Sequence, residues 1–349
     1  MTAFEIALGG WALGGLDWNM GLPMGWANVD EREARDAIAA GLDAGANVID
    51  TADVYGHGRS ERTIGAAIRG RNRGALILST KTGYFRGCAP HPYDPLHMRH
   101  QLETSLANLG TDYLDVYFFH NLEFGASDEY LDAAIATMLR FRAEGKIRFV
   151  GLRGPHKHAL ARYRGEAAED DRVRFLRIAE ILDPDVLQVR FNLLTPDLGL
   201  DPFQWAASRS VPVFINKPLA QGLLLDKYDP NNPPAFPPGD HRERKAWFRP
   251  PALRVLRQRL QRLKERFGSS PEDLIRVALQ FCLARSPHAV VLAGVRTPQQ
   301  ARMNVAAAAN PLSDDDLAFV GETMRDIRDE VGEYFAHERA KYAEAELAQ

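Results

Sequence analysis

A (β/α)8 barrel is the fold class this sequence predicts, and two observations carry that expectation. First, eight short apolar runs alternate with longer amphipathic segments along the 349 residues. Most of the runs are continuously apolar, as parallel strands covered on both faces should be. Second, the side chains with chemistry to offer stand where such runs give way to polar loops, and barrel sites lie at the C-terminal ends of strands. The rival arrangement, a doubly wound dinucleotide-binding sheet, needs G-x-G-x-x-G between its first strand and helix. Here Gly56-His57-Gly58 is followed by Arg59-Ser60-Glu61, so the third glycine is missing.

The elements follow in order. The strand runs are 4–9, 47–50, 75–80, 115–119, 147–152, 186–191, 211–215 and 289–293. After the third run, Asp94-Pro95 opens a helix in which Met98, Leu102, Leu106 and Leu109 recur at helical spacing, with Gly110 closing it. After the fourth, Ser127 precedes a helix with Leu131, Ile135, Met138 and Leu139 on one face and Gly145 beyond. The proline-rich stretch DPNNPPAFPPGD (229–240) reads as part of a long rim loop, about 226–250, rather than a linker. Residues 1–349 are therefore expected to form a single barrel domain. Ser270-Pro271-Glu272-Asp273 is a capped start for a helix holding Leu274, Val277, Ala278 and Phe281. Residues 313–349 read as a charged helical extension anchored by Tyr334, Phe335 and Tyr342. Packing outside the barrel, capping its mouth and joining a homo-oligomer are all open to it.

Composition narrows the function. With 45% hydrophobic and 26% charged residues the chain resembles an ordinary globular protein. Its 43 basic and 46 acidic residues leave a net charge of -3, no broad attraction for nucleic acid or an anionic membrane. Two cysteines, Cys88 and Cys282, fit a reducing compartment. The start MTAFEIALGG lacks the basic lead of a secretory signal. No apolar stretch approaches the roughly 20 residues of a membrane span. A cytoplasmic location is the default expectation.

The residues of interest are Asp50, Tyr55, Lys81 and His120, in the strings NVIDTADVYGHGRSE, LILSTKTG and DYLDVYFFHN. A tyrosine hydroxyl, with pKa about 10, can protonate a developing alkoxide if a nearby cation eases its ionisation. Lys81 is that cation, Asp50 the partner that holds it, and His120 can position a carbonyl oxygen. None of these groups supplies a hydride, so carbonyl reduction here requires a soluble redox cofactor.

The run DTADVYGHGRSERTIGAAI, with KTG, DYLDVYFFHN, GKIRFVG and GVRTPQQARMN, resembles the aldo-keto reductase superfamily over roughly residues 5–310. The resemblance implies a (β/α)8 barrel with Asp50, Tyr55, Lys81 and His120 as the catalytic tetrad. It implies an extended NADPH, with NADH the less favoured alternative, and a small-molecule carbonyl substrate such as an aldehyde, ketone or keto-sugar. Gly10 and Trp11 match a position beside the nicotinamide, and Gln188 matches a carboxamide ligand. KPLAQGLL, with Lys217, Pro218, Leu219, Gln221 and Gly222, resembles the segment around the pyrophosphate, where backbone N–H groups can bind anionic oxygens. Gly294, Arg296, Gln300 and Asn304 match the region of the adenosine and its 2′-phosphate. Arg296 is the cation among them, and a guanidinium suits phosphate.

Two departures mark a divergent branch. Gly151-Leu152-Arg153-Gly154 stands where many members read G-x-S-N, and Asn216 stands where many stack an aromatic on the nicotinamide. Arg153 is a candidate for touching the cofactor or an anionic substrate; a rim ion pair is the alternative. Trp18, Trp26, Tyr84, Phe85 and Phe124 lie in loops that would wall a partly apolar substrate site. In GDHRERKAWFR (239–249), Arg242, Arg244 or Lys245 could reach phosphate, a solvated loop being the alternative. Cys88, His91, His97 and His100 have a metal-like interval, but two of them fall on a helix and zinc has no part in this chemistry, so no metal is expected. The competing function is an NADP(H)-binding regulatory or scaffold protein of the same fold with little turnover.

Overall fold

Eight parallel strands close into a barrel among the residues described by the computed structural model, which are 5–19, 21–155, 171–195 and 200–332. The strands are β1 (Ile6–Gly9), β2 (Val48–Asp50), β3 (Ile77–Thr82), β4 (Leu114–Phe119), β5 (Ile147–Arg153), β6 (Val186–Arg190), β7 (Val213–Asn216) and β8 (Ala289–Gly294). Sequential neighbours pair throughout, and β8 returns to β1 with Ile6 opposite Val291 and Gly9 opposite Gly294. Each coincides with one of the eight apolar runs, although β3 runs on through Lys81 and Thr82.

Both faces are apolar, yet they pack into different cores. Ala7, Val48, Val116, Phe118, Val186, Phe214, Val290 and Leu292 fill the barrel interior. Ile6, Leu8, Ile49, Leu78, Tyr117, Phe119, Val150, Leu152, Val189 and Ile215 face outward against the helices. The period of two along a strand separates these two sets. Gly151 belongs to the inner set, and its place shows why it is glycine: a Cβ there would lie 2.2 Å from the Phe118 ring.

The helices are α1 (Glu31–Asp43), α2 (Arg59–Ile68), α3 (Pro95–Leu109), α4 (Leu131–Ala143), α5 (Asp171–Leu182), α6 (Leu200–Arg209), α7 (Pro250–Phe267), α8 (Pro271–Leu283), α9 (Pro298–Ala306) and α10 (Asp314–Met324). The Asp94 carboxylate accepts from the Leu96 and His97 N–H groups at the start of α3, and Gly110 closes that helix at φ 65°. Ser270 and Asp273 form a capping box on α8. The start of α4 differs from the expectation. Ser127 sits at φ 53° in a separate 3-10 turn, Ala126–Asp128, and the helix begins at Leu131. Leu139 is 51% exposed, whereas Leu131, Ala134, Met138 and Phe141 form the buried stripe. One step past Met138 rotates a side chain by about 100°, enough to leave a narrow stripe.

Outside the barrel, α7, the segment after β7 and α10 share a second core, including Leu224, Phe248, Leu256, Leu260, Met324 and Ile327. The anchors Tyr334, Phe335 and Tyr342 lie outside the described residues. Among the described residues, no helix is long and apolar enough to cross a membrane. The rim loop folds into 3-10 turns, His241–Arg244 and Ala246–Phe248. It latches onto the β1–α1 loop: the His241 N–H donates to the Gly25 carbonyl at 2.8 Å, and the Ala27 N–H donates to the Asp240 carboxylate at 2.7 Å.

Candidate active site

The inner set of each strand ends at the C-terminal mouth, and there its chemistry turns polar. Ala7 leads to Gly9, Val48 to Asp50, Ile77 and Ser79 to Lys81, and Val116 and Phe118 to His120. Gly151 leads to Arg153, Val186 to Gln188 and Arg190, and Phe214 to Asn216. Strand parity delivers three of the four tetrad residues to one rim. The fourth, Tyr55, comes from the loop between β2 and α2. That loop is tied down by the Thr51 N–H donating to the Ser79 carbonyl at 2.9 Å and the Asp53 N–H donating to the Lys81 carbonyl at 3.3 Å. Gly56 follows at φ 61°, and a Cβ on it would meet the Gly14 carbonyl oxygen at 2.1 Å. Only glycine lets the loop pass that close.

The tetrad converges. Lys81, 0% exposed, donates from Nζ to Asp50 Oδ2 at 2.7 Å and to the Thr51 carbonyl. The same Nζ lies 5.4 Å from the centroid of the Tyr55 ring. His120 meets Tyr55 edge-on at 5.8 Å between centroids, and Tyr84 at 4.6 Å. Asp50 Oδ1 accepts from Ser79 Oγ at 2.8 Å and from Gln188 Nε2 at 3.0 Å. Burial pushes the Tyr55 hydroxyl above its ordinary range, opposed by the positive charge of Arg153. Burial lowers Lys81 while the charge and hydrogen bond of Asp50 hold it up. A protonated phenol thus stands beside a carboxylate-anchored amine.

Behind them Asp53 is pushed up to about 7 from 3.8, by burial first and then by the carboxylate of Glu61; the Gln101 and Val54 hydrogen bonds and Lys81 oppose this. Between those values the folded chain holds a proton that the unfolded chain releases, so stability falls as pH rises through the window. Replacing Asp53 with Asn removes that loss. Relative to wild type, Asp53→Asn should gain on the order of 2 kcal/mol between pH 5 and pH 8 in denaturant titrations. A difference that does not change with pH would reject the assignment.

The residues expected around a cofactor are placed unevenly. Trp11 lies under Lys217, whose Nζ is 4.6 Å from its ring centroid, and His241 packs edge-on against the same ring at 4.6 Å. Asn216 Oδ1, Gln221 Nε2 and His241 Nε2 have no hydrogen-bond partner among the described residues. Lys217, Ala220, Gln221 and Gly222 all have positive φ, around buried Pro218 and half-buried Leu219. Such backbone can turn N–H groups toward anionic oxygens. Arg296 donates to the Ala27 carbonyl at 3.3 Å, and its N–H is held by Gln300 Oε1 at 3.0 Å. Asn304 is buried and donates to the Gly294 carbonyl at 3.3 Å. Orphaned amide and imidazole atoms beside excess cations fit an anionic dinucleotide with a carboxamide head.

Some expectations need correction. Gln188 is 1% exposed and hydrogen-bonds Asp50 and Asn216, so it supports the tetrad from below rather than opening to the mouth. Gly10 donates its N–H to the Asp50 carbonyl, and a Cβ would point at Ser60 of α2, 2.7 Å away, which leaves its backbone as the contact it can offer. Phe124 is 0% exposed and stacks on Tyr93 at 4.6 Å; it is core, because a loop aromatic that finds a ring to cover leaves the mouth. Trp26 is buried beneath Trp11 and the Arg242 guanidinium, so it packs under the rim loop and does not open to the mouth. Arg242 itself is gripped at two nitrogens by Asp240, at 2.9 and 2.7 Å, and cannot reach phosphate without breaking that pair. Trp18 is exposed on a small ribbon (Trp18–Asn19 with Leu22–Pro23), while Tyr84 and Phe85 face His120 and His57. His91 stacks on Tyr130, and His97 Nε2 bonds the Phe85 carbonyl. Sequence reasoning missed His241 and Arg190; parity with Gln188 could have found the second.

The aldo/keto reductase family model matches residues 5–323. The chain belongs to that family. As such it is an NAD(P)H-dependent oxidoreductase. This aldo/keto reductase is 27% identical over 339 residues to an NADH-specific methylglyoxal reductase of Escherichia coli (strain K12), covering 92% of this chain and 95% of the relative. It is 27% identical to the L-galactose dehydrogenase of Arabidopsis thaliana, covering 84% and 83% of the two chains. Its fold is similar to that of a glycerol dehydrogenase from Gluconobacter oxydans, with TM-score 0.70, 24% identity, and coverage of 92% and 91%. An aldo-keto reductase from Klebsiella pneumoniae in complex with NADPH aligns with TM-score 0.62 at 24% identity, covering 92% and 90%.

Proposed function

We propose that this aldo/keto reductase reduces an aldehyde or ketone to an alcohol with Tyr55 as the proton donor. One observation carries the reading: Lys81 Nζ, 2.7 Å from Asp50, also faces the Tyr55 ring. Tyr55 donates its hydroxyl proton to the carbonyl oxygen as negative charge develops there. Lys81 stabilises the phenolate left behind, and Asp50 fixes the ammonium, itself held by Ser79 and Gln188. His120, wedged between Tyr55 and Tyr84, orients the substrate oxygen. A nicotinamide cofactor, when bound, would supply the hydride. Asn216, Lys217, Gln221 and the backbone of 217–222 would hold its head and diphosphate, and Arg296 with Gln300 its adenosine end. A screen of small aldehydes and ketones following NADPH and NADH oxidation tests the reading. Cofactor binding with no turnover of any carbonyl would favour a regulatory role instead.

The cofactor is proposed to be NADPH. Arg296 is the cation fastened between Ala27 and Gln300 at the start of α9, the part of the mouth where a 2′-phosphate would be read. The Escherichia coli relative is named NADH-specific and the Klebsiella pneumoniae neighbour was solved with NADPH, so the relatives do not choose between the two. Arg296→Ala should weaken NADPH binding by about tenfold, a loss of roughly 1.4 kcal/mol, and leave NADH nearly unchanged. Fluorescence titration of both cofactors reads this; an unchanged ratio rejects the role.

A further inference from the structure

At the mouth of the barrel, the ends of β5, β6 and β7 carry cations. Arg153 ends β5, Arg190 ends β6 opposite Asn216, and Lys217 follows β7. Arg190 lies two residues beyond Gln188 on the same face, one rung above the amide that reaches Asp50. Arg153 donates to the His120 carbonyl at 3.2 Å, hydrogen-bonds Tyr84 and acts on the Tyr55 hydroxyl, so its charge stands on the substrate side of the tetrad. Arg328, from the helical stretch after α10, approaches Arg190. Among the described residues, the Glu123 carboxylate acts on Tyr84 at this side.

These charges oppose one another. Arg190 is held below its ordinary range by burial, then by Arg153 and Arg328, with no carboxylate among the described residues acting on it. Lys217 is depressed by burial, then by Arg190, Lys245, Arg153 and Arg244. Grouping cations in a half-buried cleft is unfavourable unless an anion enters to pair with them. Guanidinium forks match carboxylate and phosphate oxygens two at a time.

We propose that Arg153 and Arg190 form an anion subsite beside Tyr55, with Lys217 on its cofactor edge, and that the carbonyl substrate carries a carboxylate or phosphate there. This inference rests on the carbonyl-reductase reading of the same site. It makes the substrate an oxo acid or an oxo phosphate ester whose charged group lies a short chain away from the reacting carbon.

Matched substrates test it: succinic semialdehyde against butyraldehyde for carboxylate, and glyceraldehyde 3-phosphate against glyceraldehyde for phosphate. In wild type the charged member of at least one pair should be favoured by about tenfold or more in kcat/KM, mostly through KM. Arg190→Met should erase that preference, leave the neutral substrates and NADPH binding unchanged, and be partly rescued by Arg190→Lys. Neutral substrates preferred in wild type, or a preference that survives Arg190→Met, would overturn the subsite while leaving the reductase standing. So would a weakened NADPH with unaltered substrate choice, which would assign Arg190 to the diphosphate. A second readout does not depend on turnover: inorganic phosphate and succinate titrated calorimetrically into NADP+-saturated protein. Binding lost in Arg190→Met supports the subsite, and no binding in wild type refutes it. Absence of turnover with every substrate, alongside intact anion binding, would count against the reductase reading alone.

Discussion

Tyr55→Phe lowers kcat by about 10²–10⁴-fold, the range for removing a general acid, with cofactor affinity retained. The substitution deletes one oxygen. The ring contacts of Tyr55 with Trp11 at 6.2 Å and His120 at 5.8 Å survive it, as does the loop hydrogen bond from its N–H to the Ala52 carbonyl. A fall in kcat with little change in KM would locate the lost interaction in the transition state. The variant that keeps wild-type kcat on any reduced carbonyl removes Tyr55 as the donor. Stability should hardly move, since among the described residues no hydrogen bond of the Tyr55 hydroxyl supports the fold.

Lys81→Met should act on both activity and stability. Lys81 is fully buried, and removing its ammonium strands Asp50 in the same low-dielectric pocket. Breaking a buried pair by deleting one partner typically costs 3–5 kcal/mol, so a loss of about that size is expected in the denaturant midpoint. The Ser79 and Gln188 hydrogen bonds to Oδ1 remain and moderate the effect. Asp50→Asn combined with Lys81→Met should recover part of the stability but none of the turnover, because the phenol still lacks its cation. Two single losses that simply add in the double variant would show that the pair is not coupled in the way proposed.

The eight strands were legible because most of them, as parallel strands buried on both sides, read as short apolar runs between longer amphipathic segments. The same property hid the alternation: with Val and Ile on both faces, periodicity does not say which residues point inward. Asp50, Lys81 and His120 could be read from their places after such runs, whereas Arg190 inside VLQVRF was readable only through its spacing of two from Gln188. Helix ends carrying a side-chain cap, at Asp94 and Ser270, were readable locally. Ser127 was misleading because serine also favours isolated turns. Phe124 and Trp26 show the limit for aromatics, whose partners, Tyr93 and Trp11, are distant in sequence.

The Asp240 carboxylate bonds the Ala27 amide and grips Arg242, joining two segments more than two hundred positions apart. Asp240 and Arg242 travel together on the rim loop, so parting the two segments breaks the Ala27 hydrogen bond and leaves the ion pair whole. The rim loop can therefore lift from the β1–α1 loop at the cost of a few hydrogen bonds rather than of a buried charge.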